Sequence, residues 1–551
     1  MRRQSLLWTL LLGLSFLSGC ADDVGDIDRT QANRVKKSLF RGEWIYRATI
    51  IDVPPTAGFT FIGEQTESEK IVWDIQEGFL LAYRAYEHIE GQEQFAQRPG
   101  VPWQGAPIAA WAITSHFDII RDYNPGTGEQ TNVIVENTTD RRWFEREYMR
   151  VDWSRNLIAD FNFVTSVVKQ NPIAYFVQES DLANPDRPKL EEGYIDIVNK
   201  MFVEPETDPF LSWWYEMPIP ACWLYESLDK DCLGQAIKVR HAFLKLEDRS
   251  LAYEPKHYDD FAFDKFGFFR NTRMVHDVER DLLEGKTKHY INRFNIWARA
   301  RRCVGPDGAE IDGASCRKPD PNQGAPWRRM DTPAAPRVEG ARLESLPIRD
   351  RQVRPIVYHL NDAFPAELLP SVRRVADEWD RTFRDTVAHA WTLDGKPTRI
   401  EDVPRMFVLC EQNPVRDGNA AGGLDVSRYD RAALRNPEFS DDRALCGPEG
   451  THATIGDLRF NTIDWVAYPN DAGLLGYGPA ATDPETGEII SANAFVYGAA
   501  HETWATFGAD IVGLLNGTSS LEDFADGKYL IDYLQRNKDK PGVYKSNPLA
   551  H

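Results

Sequence analysis

From Leu39 onward the hydrophobic positions fall in short β-branched and aromatic runs broken by glycine and proline: "EWIYRATIIDVP", "GFTFIGEQTESEKIVWDI" and "GFLLAYRAYEHI". Runs of that length, bounded by turn residues, predict strands, so the first half reads as β-rich. Further on, "TNVIVENTTDRRWFEREYMRVDWSRNLI" and "DFAFDKFGFFRNTRMVHDVERD" interleave aromatic residues with opposite charges. That mixture suits antiparallel sheets in which cross-strand charge pairs help to fix register.

Between Cys316 and Leu346 the chain becomes proline-rich and loses any apolar period, which predicts a linker or an extended wrapping segment over 319–345. A different pattern follows. "RPIVYHL" and "RMFVLC" predict strands, and "PSVRRVADEWDRTFRDTV" places Val372, Val375, Trp379 and Phe383 on one face of a helix. After a loop rich in glycine and aspartate come "IGDLRFNTIDWVAY", the hairpin-like "DPETGEIISANAFVYG", the helical "VYGAAHETWATFGADIVGLLNG", and a last helix opened by a Ser520–Asp523 capping box. The expected fold class is α+β, with a β-rich unit over 39–318 and an α/β unit over 346–551 in which a sheet packs on long helices.

The N-terminus follows another rule. "MRRQSLLWTLLLGLSFLSGC" combines two arginines, an apolar run of about a dozen residues and small residues before Cys20, the composition of a signal peptide over 1–20. The run is too short to span a bilayer comfortably. Leu17-Ser18-Gly19-Cys20 resembles the lipobox of bacterial lipoproteins, which implies cleavage before Cys20 and a diacylglycerol on its sulfur. The protein is then expected to reach a membrane through lipid on Cys20, with 21–38 as a polar tether. Ala21, rather than aspartate, beside that cysteine implies the outer membrane.

A formal net charge of −20 argues against nucleic acid as a partner, because binding it needs a basic face that displaces counterions. Besides Cys20 there are six cysteines, and their spacing suggests the local pairs Cys222 with Cys232, Cys303 with Cys316, and Cys410 with Cys446. Six cysteines allow about fifteen connectivities, so nearest-neighbour pairing is one choice among them. Disulfides suit an exported chain, and no Cys-x-x-Cys knuckle points to zinc.

The sharpest candidate for chemistry is "HETWATFG". A zincin helix needs two histidines one turn apart, a glutamate after the first as general base, and a third ligand downstream. His501 and Glu502 fit, but Ala505 and Ile511 occupy the other two ligand positions of the longer His-Glu-x-x-His-x-x-Gly-x-x-His form, in which Gly508 is retained. One imidazole does not hold zinc firmly. Ala500, Trp504, Phe507, Ile511 and Leu514 instead form a stripe that predicts a core-packing helix with His501 at its edge. A metalloenzyme using His501 and Glu502 would need remote ligands such as His452 or His389. "GYGPAA" at Gly476 lacks a following helix, and "DGNAAGGLD" at Asp417 lacks the alternating oxygens of a calcium loop.

Several phrases, "RPIVYHLNDAFP", "VADEWDRTF", "GDLRFNTIDWV" and above all "YGPAATDPETGEIISANAFVYGAA", resemble the N-terminal part of large bacterial zinc-dependent metalloproteases of metzincin type, found as lipoproteins in myxobacteria-like organisms. "NVIVENTTDRRWFEREYMRVDWSRN" and "FDKFGFFRNTR" resemble the β-rich region that precedes the protease in those proteins. The resemblance implies a partial metzincin-like peptidase domain over 346–551 without the zinc-binding helix, which in the family comes later. The functional expectation is a truncated product or one half of a split protease, not catalytically self-sufficient. It has no cofactor of its own, and zinc enters only if a separately encoded C-terminal half supplies the ligands. The rival expectation is a non-enzymatic envelope lipoprotein that binds peptide or an envelope partner, with "DLRFNTIDWV" offering an edge for strand pairing.

Overall fold

"EWIYRATIID" forms strand β1 (Glu43–Asp52), buried along most of its length. Trp44, Tyr46, Ala48 and Ile50 enter the core of a large sheet, while Ile45, on the opposite face, packs against Leu458 and Ala481 from the second half of the chain. A strand covered on both faces loses the alternation of polar and apolar positions. The computed structural model describes residues 25–525 apart from 58, 87–88, 91–106, 159–162, 164–165, 169–174, 179–180, 182–183, 222–233, 247–250, 259, 278–280, 317–326, 328–337, 417–444, 469–473 and 519, together with 527 and 535.

The sheet continues through β2 (Glu69–Ile75), β3 (Phe79–Arg84), β4 (Ala109–Tyr123), β5 (Gln130–Asn137), β6 (Tyr148–Asp152), β7 (Tyr194–Pro205) and β8 (Gln235–Lys245). Its main path is β5-β4-β3-β2-β1-β8-β7, antiparallel throughout, with β6 also on β4. The core is aromatic. Trp73, Trp111, Trp153 and Phe243 are fully buried, and Trp111 meets Trp153 and Phe243 edge to face. Trp327, from the proline-rich stretch, is also part of this core, so at that point the stretch wraps the first unit.

Sheet structure begins earlier than the expected tether over 21–38 allows. Ile27–Asp28 pair with β5, Arg34–Lys36 pair with β6, and Val35 is buried. The polar character that suggested a tether belongs to exposed positions on a sheet margin, where Arg34 pairs with Asp28. At the other end of the sheet, β7 and β8 form a long hairpin whose connection holds a short helix, α1 (Pro209–Trp214).

The second half is an α/β layer. Strands β9 (Ile356–Leu360), β10 (Phe407–Cys410), β11 (Asn461–Val466) and β12 (Glu488–Tyr497) run parallel in the order β10-β9-β11-β12, and residues 476–477 and 480–482 pair antiparallel with β12. Helix α2 (Leu369–Leu393) covers one face, its Val372 and Ala376 against Ile356, Leu360, Phe407 and Leu409. Its buried row differs from the stripe read in the sequence: Val372, Ala376, Asp380, Val387 and Trp391 face inward, while Val375 and Trp379 are half exposed. Asp380 explains the rotation. Its Oδ1 accepts hydrogen bonds from the backbone N–H of Met406 (2.7 Å) and Phe407 (3.1 Å), so a carboxylate ties the helix to the start of β10.

The other face of this sheet lies under the large sheet. Arg293–Phe294 already pair with Glu488–Ile489, and Trp297–Arg299 with Gln352–Val353, so residues ahead of the proline-rich stretch hydrogen-bond to the second half. Phe61 packs with Val466, Phe495 and Tyr497, and the Tyr497 hydroxyl donates to the Ile62 carbonyl at 2.8 Å. Cys303–Cys316 and Cys410–Cys446 are joined as disulfides, the pairs that the spacing suggests. Cys20, Cys222 and Cys232 lie outside the described residues, as do the signal segment and the loop at Asp417.

Candidate functional site

The stretch "GAAHETWATFGADIVGLL" forms helix α3 (Gly498–Leu515), which starts where β12 ends. Gly498 is buried at the junction, and a Cβ there would stand 2.2 Å from the Trp465 ring, so only glycine lets the chain turn from strand to helix at that point. The core-packing expectation for this helix is overturned. Trp504, Phe507, Ile511, Val512 and Leu515 are exposed, from 41% to 81%, and Gly498 is the one residue of the helix recorded as buried. The stripe is real as a sequence pattern, but the helix leaves the sheet at the ends of the parallel strands, so little of the described chain lies over it.

His501 and Glu502 stand exposed in the first turn of α3, with Ala505 also exposed. His389 is exposed on α2, and His452 sits half-buried in the loop before β11. Burial holds the His452 imidazole below its ordinary pKa. Among the described residues no group of three or more His, Cys, Asp or Glu side chains is placed to hold a metal ion, so these histidines are not brought together as a ligand set. "GYGPAA" forms the two short antiparallel segments beside β12, with no helix after the glycines.

What the structure does assemble is a buried polar row on the covered face of the parallel sheet. His359 of β9 is in register with Thr462 of β11, which is in register with Asn493 of β12. Asn493 donates to the Thr462 hydroxyl at 2.8 Å, Thr462 donates to Asp464, and Gln65 from the first half donates to Asn493 at 3.0 Å. Asp464 is fully buried with Oδ1 unpartnered, and burial pushes its pKa up to about 7. The run "NTID" carries the one sequence signal for this row: the polar Thr462 and Asp464 at alternate positions, interleaved with the apolar Ile463 and Trp465. Periodicity reads them as solvent-facing, and only the covering sheet makes them interior.

Beside the row is a cavity of about 340 Å³ walled by Leu244, Phe294, Leu458 and Phe460 and reached by His359 and Asn295. His359 is 2% exposed with Nδ1 unpartnered, and burial lowers its pKa to about 4, so the ring is neutral near pH 7. Asn295 Nδ2 is likewise buried without a partner. The cavity lies at the start of the parallel strands, between the two halves.

Charged residues close the remaining interface. Arg240 pairs with Asp196 at 3.0 Å, Lys189 bridges Asp196 and Asp457 at 3.5 Å each, and Arg459 grips Asp457 at 2.8 Å while lying over the Tyr194 ring. Burial would raise the Asp457 pKa, but the hydrogen bonds and charge of Arg459, with Lys189, hold it below the usual value. A second cluster joins Lys70, only 3% exposed, to Asp483 at 2.8 Å and Glu485 at 2.7 Å. These are structural ion pairs, because each cation is already matched within the fold.

The peptide-pairing expectation also changes. Strand β11 is flanked by β9 and β12 on both sides, so "DLRFNTIDWV" offers no free edge. No family model, curated protein or solved structure matches this chain.

Proposed function

We propose that this protein is a lipid-anchored component of the bacterial cell envelope, attached to the outer membrane through Cys20, whose second half is a metzincin-like peptidase scaffold that does not hold zinc by itself. The reading is carried by α3. This helix follows directly from the last parallel strand and begins with His501 and Glu502, yet it bears Ala505 and Ile511 at the other ligand positions and turns Trp504, Phe507 and Leu515 to solvent. An apolar surface of that kind suits a polypeptide partner. In this reading the partner is the zinc-bearing half of a peptidase, and it docks along α3. The partner would supply the zinc ligands and, with zinc bound, the chemistry of peptide hydrolysis, while this chain would supply α3 as the docking surface.

Metal analysis of the purified chain tests the first part: substoichiometric zinc, unchanged by His501→Ala, is expected. Stoichiometric zinc that His501→Ala removes would overturn the reading. A photo-crosslinker at Phe507 tests the second part, and the expected product is a polypeptide that contains a complete His-Glu-x-x-His-x-x-Gly-x-x-His motif. Metabolic labelling with palmitate, lost in Cys20→Ala, tests the anchor. The cavity at His359 favours the second reading, a non-enzymatic binding lipoprotein; there, protection of His359 imidazole signals by an added peptide, with no partner crosslinked at α3, is the expected result.

A further inference from the structure

The connection between β7 and β8 carries the densest exposed aromatic surface among the described residues. Phe210, Trp213, Trp214, Tyr215 and Met217 are 65%, 72%, 64%, 61% and 55% exposed. Side chains of this size normally go inside, and several of them together on one surface mark a contact site.

The exposure is built in. Thr207 bridges to Pro220, the Asp208 N–H donates to the Ile219 carbonyl at 2.9 Å, and the Ala221 N–H donates to the Glu206 carbonyl at 2.7 Å, which closes the loop at its base. Asp208 caps α1 by accepting from the Leu211 N–H at 2.7 Å, with Pro209 opening the helix. The Ser212 hydroxyl accepts from the Ile219 N–H at 3.0 Å and ties the helix to the returning side of the loop. The rings of Phe210, Trp213 and Trp214 lie within 6.3–6.4 Å of one another. The polar groups of the loop therefore hold its base, and the aromatic groups form its outer surface.

We infer that this loop is a membrane-contact element: it dips its aromatic side chains into the lipid–water interface and gives the protein a second point of attachment besides Cys20. The inference rests on the lipid-anchored reading for its membrane. Three observations select lipid as the occupant. Tryptophan and tyrosine, which dominate the loop, are the residues that settle at the level of lipid headgroups, with an apolar body and one polar hydrogen. Sheet structure starts at Ile27, seven residues after Cys20, so even a fully extended connection keeps the start of the fold within about 25 Å of the lipid anchor. The loop belongs to the β7–β8 connection, whereas Ile27 pairs with β5, so the loop is a contact on a different part of the sheet from the strand nearest the anchor. With a net charge of −20, the protein favours zwitterionic over anionic lipid.

The test uses the chain from Ala21 to His551, which keeps every described residue and carries no lipid, floated with vesicles of phosphatidylcholine and phosphatidylethanolamine. Flotation is expected, with weaker binding when phosphatidylglycerol replaces part of the lipid at low salt, and with tryptophan fluorescence quenched by lipids brominated near the headgroup. Trp213→Ser with Trp214→Ser should lower vesicle affinity by about tenfold or more while leaving the melting temperature unchanged, because the side chains touch little else. Should that variant misfold, Tyr215→Ser with Met217→Ser serves the same purpose. A chain that does not float, that floats equally well without the tryptophans, or that instead dimerises through this loop without binding vesicles overturns the inference. Palmitate labelling at Cys20 is scored separately: flotation without labelling sinks the anchor and keeps the loop, and labelling without flotation does the reverse.

Discussion

Replacing Lys70 by methionine tests whether the two halves are one cooperative unit. Lys70 lies on β2 of the first half, and its ammonium group contacts Asp483 and Glu485 of the hairpin before β12, at 2.8 and 2.7 Å. Burial works against its charge, but Asp483, Glu485 and Glu43 outweigh that effect and raise its pKa above the ordinary 10.5. Lys70→Met keeps the length of the side chain and strands two carboxylates that are only 10% and 17% exposed. Breaking a buried pair in this way costs about 3–5 kcal/mol, a large part of the ~5–15 kcal/mol that stabilises a typical domain. In urea unfolding, with a slope of about 3 kcal/mol per molar or somewhat more for a chain of this size, the midpoint should fall by about 1 M, in one transition reported alike by far-ultraviolet circular dichroism and tryptophan fluorescence. Adding Asp483→Asn and Glu485→Gln should restore most of the loss by removing the stranded charges. Because a raised lysine pKa gives stability that is complete below the unfolded value and decays only at higher pH, the difference from wild type should be constant between about pH 6 and pH 9. An unshifted midpoint, or two transitions of which one ignores the substitution, would refute the coupling.

Four further outcomes are expected. Asp464, with a folded pKa raised to about 7, contributes stability that is complete below its unfolded pKa and is lost as pH rises through 7; Asp464→Asn should therefore gain over wild type on going from pH 5 to pH 8.5, read as the difference in urea midpoints. Asp380→Ala leaves the buried N–H groups of Met406 and Phe407 without their acceptor and should cost about 3 kcal/mol in the same assay. Gly456 has φ +81° and a Cβ there would meet Thr49 at 2.8 Å, so Gly456→Ala should cost about 1–3 kcal/mol and loosen the interface, seen as faster hydrogen exchange in β1. Removing Cys410–Cys446, with a sequence separation of 36, should cost about 4 kcal/mol, and removing Cys303–Cys316, with a separation of 13, about 3 kcal/mol, compared by denaturation of the paired alanine variants.

The strands and helices were legible because their signals are local. "EWIYRATIID", "FVLC" and "NTIDWV" are strands, and "VADEWDRTF" and "HETWATFG" lie in helices, since β-branched runs, helical periods and glycine or proline breaks act within a few residues. Which face of each helix is buried was less legible. On α2 the inward row contains Asp380, which no hydrophobic periodicity would select, because its reason for being inside is a pair of backbone N–H groups 26 and 27 residues away. On α3 the apolar stripe was as regular as that of a core helix and is nonetheless exposed. Regularity records which side chains avoid water; it does not say what covers them.

The buried polar row and the cavity were legible only in fragments. Thr462 and Asp464 could be seen as polar interruptions in a strand, but His359, Asn493, Gln65 and Asn295 come from segments up to 428 residues apart. The sequence by itself determined the strand-rich first half and the α/β character of the second, and it suggested the two described disulfide pairs as nearest neighbours. Tertiary structure alone decided that β1 is buried on both faces, that β11 is a central strand with no free edge, that Lys70 is locked between carboxylates, and that the aromatic residues of the 207–220 loop face outward. The reason is range: hydrogen-bonding geometry and propensity act along the chain, whereas burial and electrostatic pairing depend on which distant surfaces meet.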